Sequence, residues 1–198
     1  MLTNALSGPT SWRLIKQVLA LFWLAALLVP LAQAQSVRDG AHDFDWEFGD
    51  WQTKVRLRPP LSEAETWAEF TGTSIVRPLS RGRSNTVELD VKSGERRIEG
   101  VALRLYDPQT HQWSINFASM RDGLLTAPVY GSFSEGRGSF FGQDTVDGRV
   151  VLVRFVISDI TPTSARFEQS YSDDGGKSWL VNWIATDTRE SRRAQPQD

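Results

Sequence analysis

SFFGQDTVDGRVVLVRFVIS, residues 139–158, is the stretch that decides the fold. Ser139 to Thr145 and Val150 to Ser158 are short runs dense in aromatic and β-branched residues, with Asp147-Gly148 between them. In the second run Val151, Val153, Phe155 and Ile157 recur at the period of two that a strand buried on one face requires. Asp-Gly supplies the positive φ angles of a two-residue hairpin turn.

Working outward, the same pattern repeats. Upstream come Trp51 to Leu57, Trp67 to Val76, Asn85 to Val91, Arg97 to Tyr106, Gln112 to Ser119 and Pro128 to Phe133; downstream come Ala165 to Tyr171 and Trp179 to Thr188. Ser93-Gly94, Asp107-Pro108, Glu135-Gly136 and Asp174-Gly175-Gly176 separate them with turn chemistry. Connectors this short make neighbours antiparallel. The reading is an all-β chain of about ten strands, and closure as an up-and-down barrel is favoured over a sandwich because it removes exposed edges. After the first 34 residues no long helical stripe occurs; Gly40 to Asp50 has room for one short helical turn.

The chain begins differently. Residues 1–34 hold no acid and two bases, Arg13 and Lys16, followed by an apolar run from Val18 to Leu31 and the small-x-small site Ala32-Gln33-Ala34. That is the pattern of a cleaved secretory signal peptide, too short to span a bilayer. The expected organisation is therefore a signal at 1–34, a lead-in at 35–50, a barrel at 51–189 and a polar tail at 190–198. The expected compartment is the periplasm or outside, with no membrane attachment after cleavage. Residues 35–198 carry 20 bases and 24 acids, a net charge of −4, which excludes most nucleic-acid binding. The absence of Cys excludes disulfides, thiolate chemistry and a lipidated cysteine anchor.

Strand faces give the first functional reading. Val101, Leu103 and Leu105; Trp113, Ile115 and Phe117; Val151 to Ile157; and Trp179, Val181 and Trp183 form apolar faces expected to point inward. Glu88, Asp90, Arg104, Asn116, Arg154, Arg166, Glu168 and Asn182 form the opposite, mixed face. A ten-stranded barrel is wider than side chains fill with eight strands, so a lumen with room for an apolar or aromatic molecule is expected, against a solidly filled one. Its candidate ligand-binding residues are Trp113, Phe117, Tyr130, Phe155, Trp179 and Trp183.

Gly49-Asp50-Trp51 opens the first strand, and Gly-x-Trp at that place resembles the lipocalin and wider calycin barrels. The resemblance implies that Trp51 closes the barrel floor and that Arg189, ending the last strand, stacks across it. The longer opening His42-Asp43-Phe44-Asp45-Trp46-Glu47-Phe48-Gly49-Asp50-Trp51 resembles a family of secreted bacterial calycin-like barrels. The likeness continues through Glu69-Phe70-x-Gly72-Thr73, Arg104-Leu105-Tyr106-Asp107-Pro108, Asp147-Gly148-Arg149, Ala165-Arg166-Phe167-Glu168-Gln169 and Asn182-Trp183. It implies a fold and no activity.

The remaining motifs point to structure before chemistry. Ser172-x-Asp174-x-Gly176-x-Ser178-Trp179 matches the Asp-box of sialidase blades, but in a single copy it reads as a hairpin lock in which Asp174 binds turn amides and Gly176 takes the left-handed position. His42 with Asp43 and Asp45 offers only one nitrogen ligand, so no metal is expected. His111 reads as a solvated loop residue. Nitrobindin-type barrels hold haem through a late His; none follows His111, and Tyr171 and Met120 are poor substitutes, so no cofactor is expected. Catalytic candidates are His42 and Asp45 at the barrel mouth and the strand carboxylates Glu69 and Glu168. Three functions stay open: a binder of a small apolar or aromatic ligand; a lyase, isomerase or hydrolase using those carboxylates and His42; and an interaction module that dimerises through Val150, Leu152 and Val156.

Overall fold

The computed structural model describes residues 38–189. The expected signal segment and polar tail lie outside them. Ten strands follow in chain order: β1 Gly49–Leu57, β2 Ala68–Leu79, β3 Ser84–Ser93, β4 Arg96–Asp107, β5 Gln112–Ser119, β6 Val129–Ser134, β7 Arg137–Val146, β8 Arg149–Ser158, β9 Ser164–Ser172 and β10 Leu180–Thr188. Each pairs antiparallel with the next, and β10 returns to β1 from Gln52↔Thr188 to Leu57↔Trp183, closing the barrel. The turns do what their composition dictates. Glu135-Gly136 and Asp147-Gly148 have positive φ at both residues (51° and 74° in each), the mirror-image turn whose twist matches the strands it joins.

One end of the barrel is plugged. The lead-in, with one 3-10 turn at Asp45–Glu47, crosses it and drops Phe44, 0% exposed, between Trp113, Phe133 and Phe140. Gly40 N donates to Tyr106 Oη at 3.0 Å, and Trp113 Nε1 donates to Gly40 O at 2.9 Å. Trp51 is 2% exposed; its Nε1 donates to Glu47 O, and the Arg189 guanidinium lies 4.0 Å from its ring centroid. Arg189 also donates to the carbonyls of Trp46, Phe48 and Pro162, tying the end of β10 to the lead-in.

At the opposite end Val55, Phe70, Val91 and Ala185 pack together beneath β1, β2, β3 and β10. The β5–β6 side is looser. Only Trp113↔Gly131, Ser114↔Tyr130 and Ile115↔Val129 pair there, after which Phe117 exchanges bonds with Thr126 of the connecting loop.

The inward faces of two strands differ from expectation. On β4 the even residues point inward: Arg104 and Tyr106 are buried while Leu105 is 45% exposed. Register is the reason. Tyr106 pairs with Trp113, paired residues share a face, and Trp113 is inward. On β10 the register shifts between Val181 and Trp183, so Trp183 points into the barrel while Trp179, ahead of the strand, lies outside.

Candidate functional site

Between the plug and the far-end cluster a cavity of about 330 Å³ remains. Its walls come from inward positions of consecutive strands: Val87 and Leu89 of β3, Ile115 and Phe117 of β5, Val153, Phe155 and Ile157 of β8, Phe167 of β9 and Trp183 of β10. Phe155 and Phe167 meet edge to face at 5.1 Å, and both keep contact with the cavity. The Phe117 ring lies over Gly100, where a Cβ would meet its Cζ at 2.1 Å, so the glycine makes the space that the ring occupies. Thr126 and Ala127 of the β5–β6 loop border the cavity away from the plug.

The floor, at the plugged end, is polar. Glu47 and Arg104 form a buried ion pair, with Arg104 Nη2 also donating to Glu47 Oε1 at 3.2 Å. Phe44 lies beneath the Arg104 guanidinium, 4.2 Å from ring centroid to Cζ. Beside them Thr53 Oγ1 donates to Asp187 Oδ1 at 2.5 Å and lies 2.7 Å from Ser74 Oγ. Burial raises the Asp187 pKa from 3.8 to about 6; the Glu47 charge adds to the rise, while the Thr53 hydrogen bond and the Arg104 charge oppose it. Among the described residues, Trp46 Nε1, Arg104 Nε and Asn85 Nδ2 are fully buried donors without a hydrogen-bond partner. Farther along the wall, Tyr171 Oη donates to Asp144 Oδ2 at 3.0 Å, and Gln169 Nε2 donates to Tyr171 Oη. Burial first, and then Asp144, hold the Tyr171 phenol above its ordinary value.

Three of the six residues expected to bind a ligand, Phe117, Phe155 and Trp183, line this cavity. The other three do not. Trp113 is inward but wholly buried against Phe44 and Tyr106 in the plug. Tyr130 points out and is 52% exposed, because its neighbours Val129 and Gly131 take the inward positions of β6. Trp179 meets Phe141 edge to face outside the barrel and lies under the Arg154 guanidinium.

The four acid–base candidates are also elsewhere. His42 Nδ1 lies 2.8 Å from Asp45 Oδ2, both exposed on the lead-in at the plugged end and not at an open mouth. Glu69 and Glu168 face outward, 4.0 Å from Arg56 and 2.5 Å from Arg166. They do not converge. His111 is half-buried, with Nδ1 3.2 Å from Tyr106 Oη. Of the apolar outer face expected on β8, Val150 is exposed but Val156 is buried, so that stripe is interrupted. Asp174 accepts from Lys177 N, Ser178 N and both flanking serine hydroxyls, while Trp179 Nε1 donates to Gly176 O. Those bonds, that from Ser178 N first, hold the Asp174 carboxyl well below its ordinary range.

The floor residues Glu47, Thr53, Ser74, Arg104 and Asp187 were not singled out from sequence. One signal was available: Thr53 stands between Trp51 and Val55 on the apolar face of β1, a polar residue at an inward position. Among the described residues no group of three or more His, Cys, Asp or Glu is placed to hold a metal ion.

No family model matches the chain, and no curated protein matches it. Solved structures do. The S-type phycobiliprotein lyase CPES from Guillardia theta aligns with a TM-score of 0.52 at 13% identity, over 76% of this chain and 92% of that one. EF1p2_mFAP2b bound to DFHBI aligns at 0.43 and 13% identity, over 76% and 99% of the two chains. A fluorescence-activating β-barrel of de novo design aligns at 0.41 and 13% identity, over 78% and 100%. At 13% identity the likeness to the lyase is one of fold, an antiparallel β-barrel, and nothing more.

Proposed function

We propose that this chain is an exported β-barrel that binds a small, largely apolar or aromatic molecule in its lumen. The cavity carries the reading: about 330 Å³ walled by Phe117, Phe155, Phe167 and Trp183, inside the closed barrel. That volume lies within the range of small-molecule sites, which combine apolar walls with a few placed polar groups. Export rests on the signal-like pattern of residues 1–34, and kinship with the secreted bacterial barrels rests on the motifs that run from His42 to Trp183. Native mass spectrometry of the protein purified from its own periplasm tests both. A retained small molecule on a chain starting at Gln35 supports the proposal; a chain starting at Met1 overturns export, and a bare chain that also binds no apolar dye overturns the ligand.

A second reading, a barrel enzyme, has one observation in its favour. Asp187 is a cavity carboxyl poised near pH 6 beside a second carboxylate, Glu47, as a general acid or base requires. The shared fold with a lyase adds nothing to it, because chemistry resides in sites and not in folds. Asp187→Asn separates the two readings: it abolishes turnover of the retained molecule if the barrel is an enzyme and leaves its binding in place if not.

A further inference from the structure

The apolar walls of the cavity end at a charged floor, and the charges around the cavity do not balance. Three carboxyls border it from inside the barrel, Glu47 of the lead-in, Asp144 of β7 and Asp187 of β10, against one cation, Arg104 of β4. Arg166 shares the outward face of β9 with Glu168, to which it is bonded. Resting on the binding reading above, we propose that the ligand is a cationic amphiphile, an apolar or aromatic body between Phe117 and Trp183 that ends in a protonated amine donating to Asp187.

Hydrogen bonding singles out Asp187. Each oxygen of Glu47 accepts from a terminal nitrogen of Arg104. Asp144 Oδ1 accepts from Thr145 N and Oδ2 from Tyr171 Oη. Asp187 Oδ1 accepts from Thr53 Oγ1, but Oδ2 accepts from nothing among the described residues. The side chain is only partly buried and points inward, as its register partners Thr53 and Ala165 do, so it meets the cavity. Thr53 has one proton and gives it to Asp187; Ser74 must then donate to Thr53 and has none left. Trp46 Nε1 and Arg104 Nε are sealed inside the floor. What the floor offers a ligand is therefore an acceptor, and a charged one.

An ionised carboxyl beside an apolar space is costly without a cation, and burial with the Glu47 charge raises the Asp187 pKa accordingly. Arg104 is already held by Glu47. A protonated amine brings both the charge and the N–H. A ligand carboxylate would add a fourth acid, and a neutral carbonyl would find no open donor on this floor. Trp183, Ala185 and Asp187 follow one another on the inward face of β10, which puts aromatic wall and acid about 13 Å apart along the strand, a span for a two-ring body with a short amine arm.

Four probes of matched shape test this on the purified protein at pH 8 by calorimetry: naphthylethylamine, the neutral donor naphthylethanol, propylnaphthalene and naphthylpropionate. The amine is expected to bind about tenfold tighter than propylnaphthalene, the alcohol to fall between them, and the carboxylate to bind most weakly. Asp187→Asn keeps the acceptor for Thr53 and removes the charge; the amine should still bind, but its margin over propylnaphthalene should shrink to about one- to twofold. Propylnaphthalene as tight as the amine, or the carboxylate tightest, overturns the inference while the binding reading stands. A tenfold margin that survives in Asp187→Asn overturns it as well. If none of the four binds, both fall.

Discussion

Asp187→Asn is expected to make the barrel's stability less sensitive to pH, and the size of the effect follows from the site. The Asp187 carboxyl titrates near 3.8 in an unfolded chain and at about 6 in the barrel, where burial is the main cause, Glu47 reinforces it, and Thr53 and Arg104 oppose it. A raised folded value means that the native state holds this proton more tightly. Its contribution is therefore fully present below about pH 4 and is lost as pH rises through about 6. At about 1.4 kcal/mol per unit the difference amounts to about 3 kcal/mol, and contact of the carboxyl with the cavity trims it to about 2 kcal/mol. Asparagine keeps the acceptor for Thr53 and cannot ionise. The gap between variant and parent should shift in the variant's favour by about 2 kcal/mol between about pH 4 and pH 8, or about 4–8 °C in Tm for a domain of this size. Thermal unfolding of both proteins across that range measures it, and titrating groups that do not interact with Asp187 cancel in the difference. A gap that stays level, or that moves against the variant as pH rises, would refute the argument that Asp187 is buried as an acid.

Trp51→Ala should cost about 3–5 kcal/mol in denaturant unfolding, since the ring is buried under Arg189 and closes the barrel; a loss under about 1 kcal/mol would contradict that role. Phe117→Trp should lower dye affinity at least about tenfold, because the ring, packed over Gly100, also borders the cavity and a larger one takes up its space; unaltered binding would put the ligand elsewhere. Asp174→Ala should speed amide exchange at Lys177 and Ser178 without affecting the strands, and unchanged exchange at both would deny Asp174 its part in the hairpin.

The strands were legible because their cause is local. Alternation and Asp-Gly turns place β7 and β8 within a few residues of where they occur, and the same holds around the ring. Facing was legible only where apolar residues dominate one side without ambiguity, as at Val151, Val153 and Phe155. On β4 both sides are plausible: Val101, Leu103 and Leu105 look more like a core than Ala102, Arg104 and Tyr106. What turns the strand over is its register with β5, which brings Tyr106 beside Trp113, and the burial of Glu47 with Arg104 across 57 residues of sequence. The first contact is set by the register of a single hairpin, and the second needs the lead-in to cross the end of the barrel. The lead-in is a stronger case, for no periodicity announces that Phe44, outside every strand, will be the residue sealed in the plug.

The half of the site that sequence concealed is its polar half. Hydrophobic patterning assigns charged residues to solvent, and it does so correctly for Glu69. It fails at Glu47, Arg104 and Asp187 because burying a charge is tolerated only when partners are supplied, and those partners come from the lead-in, β3, β1 and β4 at once. A fold that merely needed a filled lumen would have apolar side chains at these positions, at less cost. Keeping an ion pair and a titratable acid at the cavity floor is a burden on stability that a merely filled lumen would not carry.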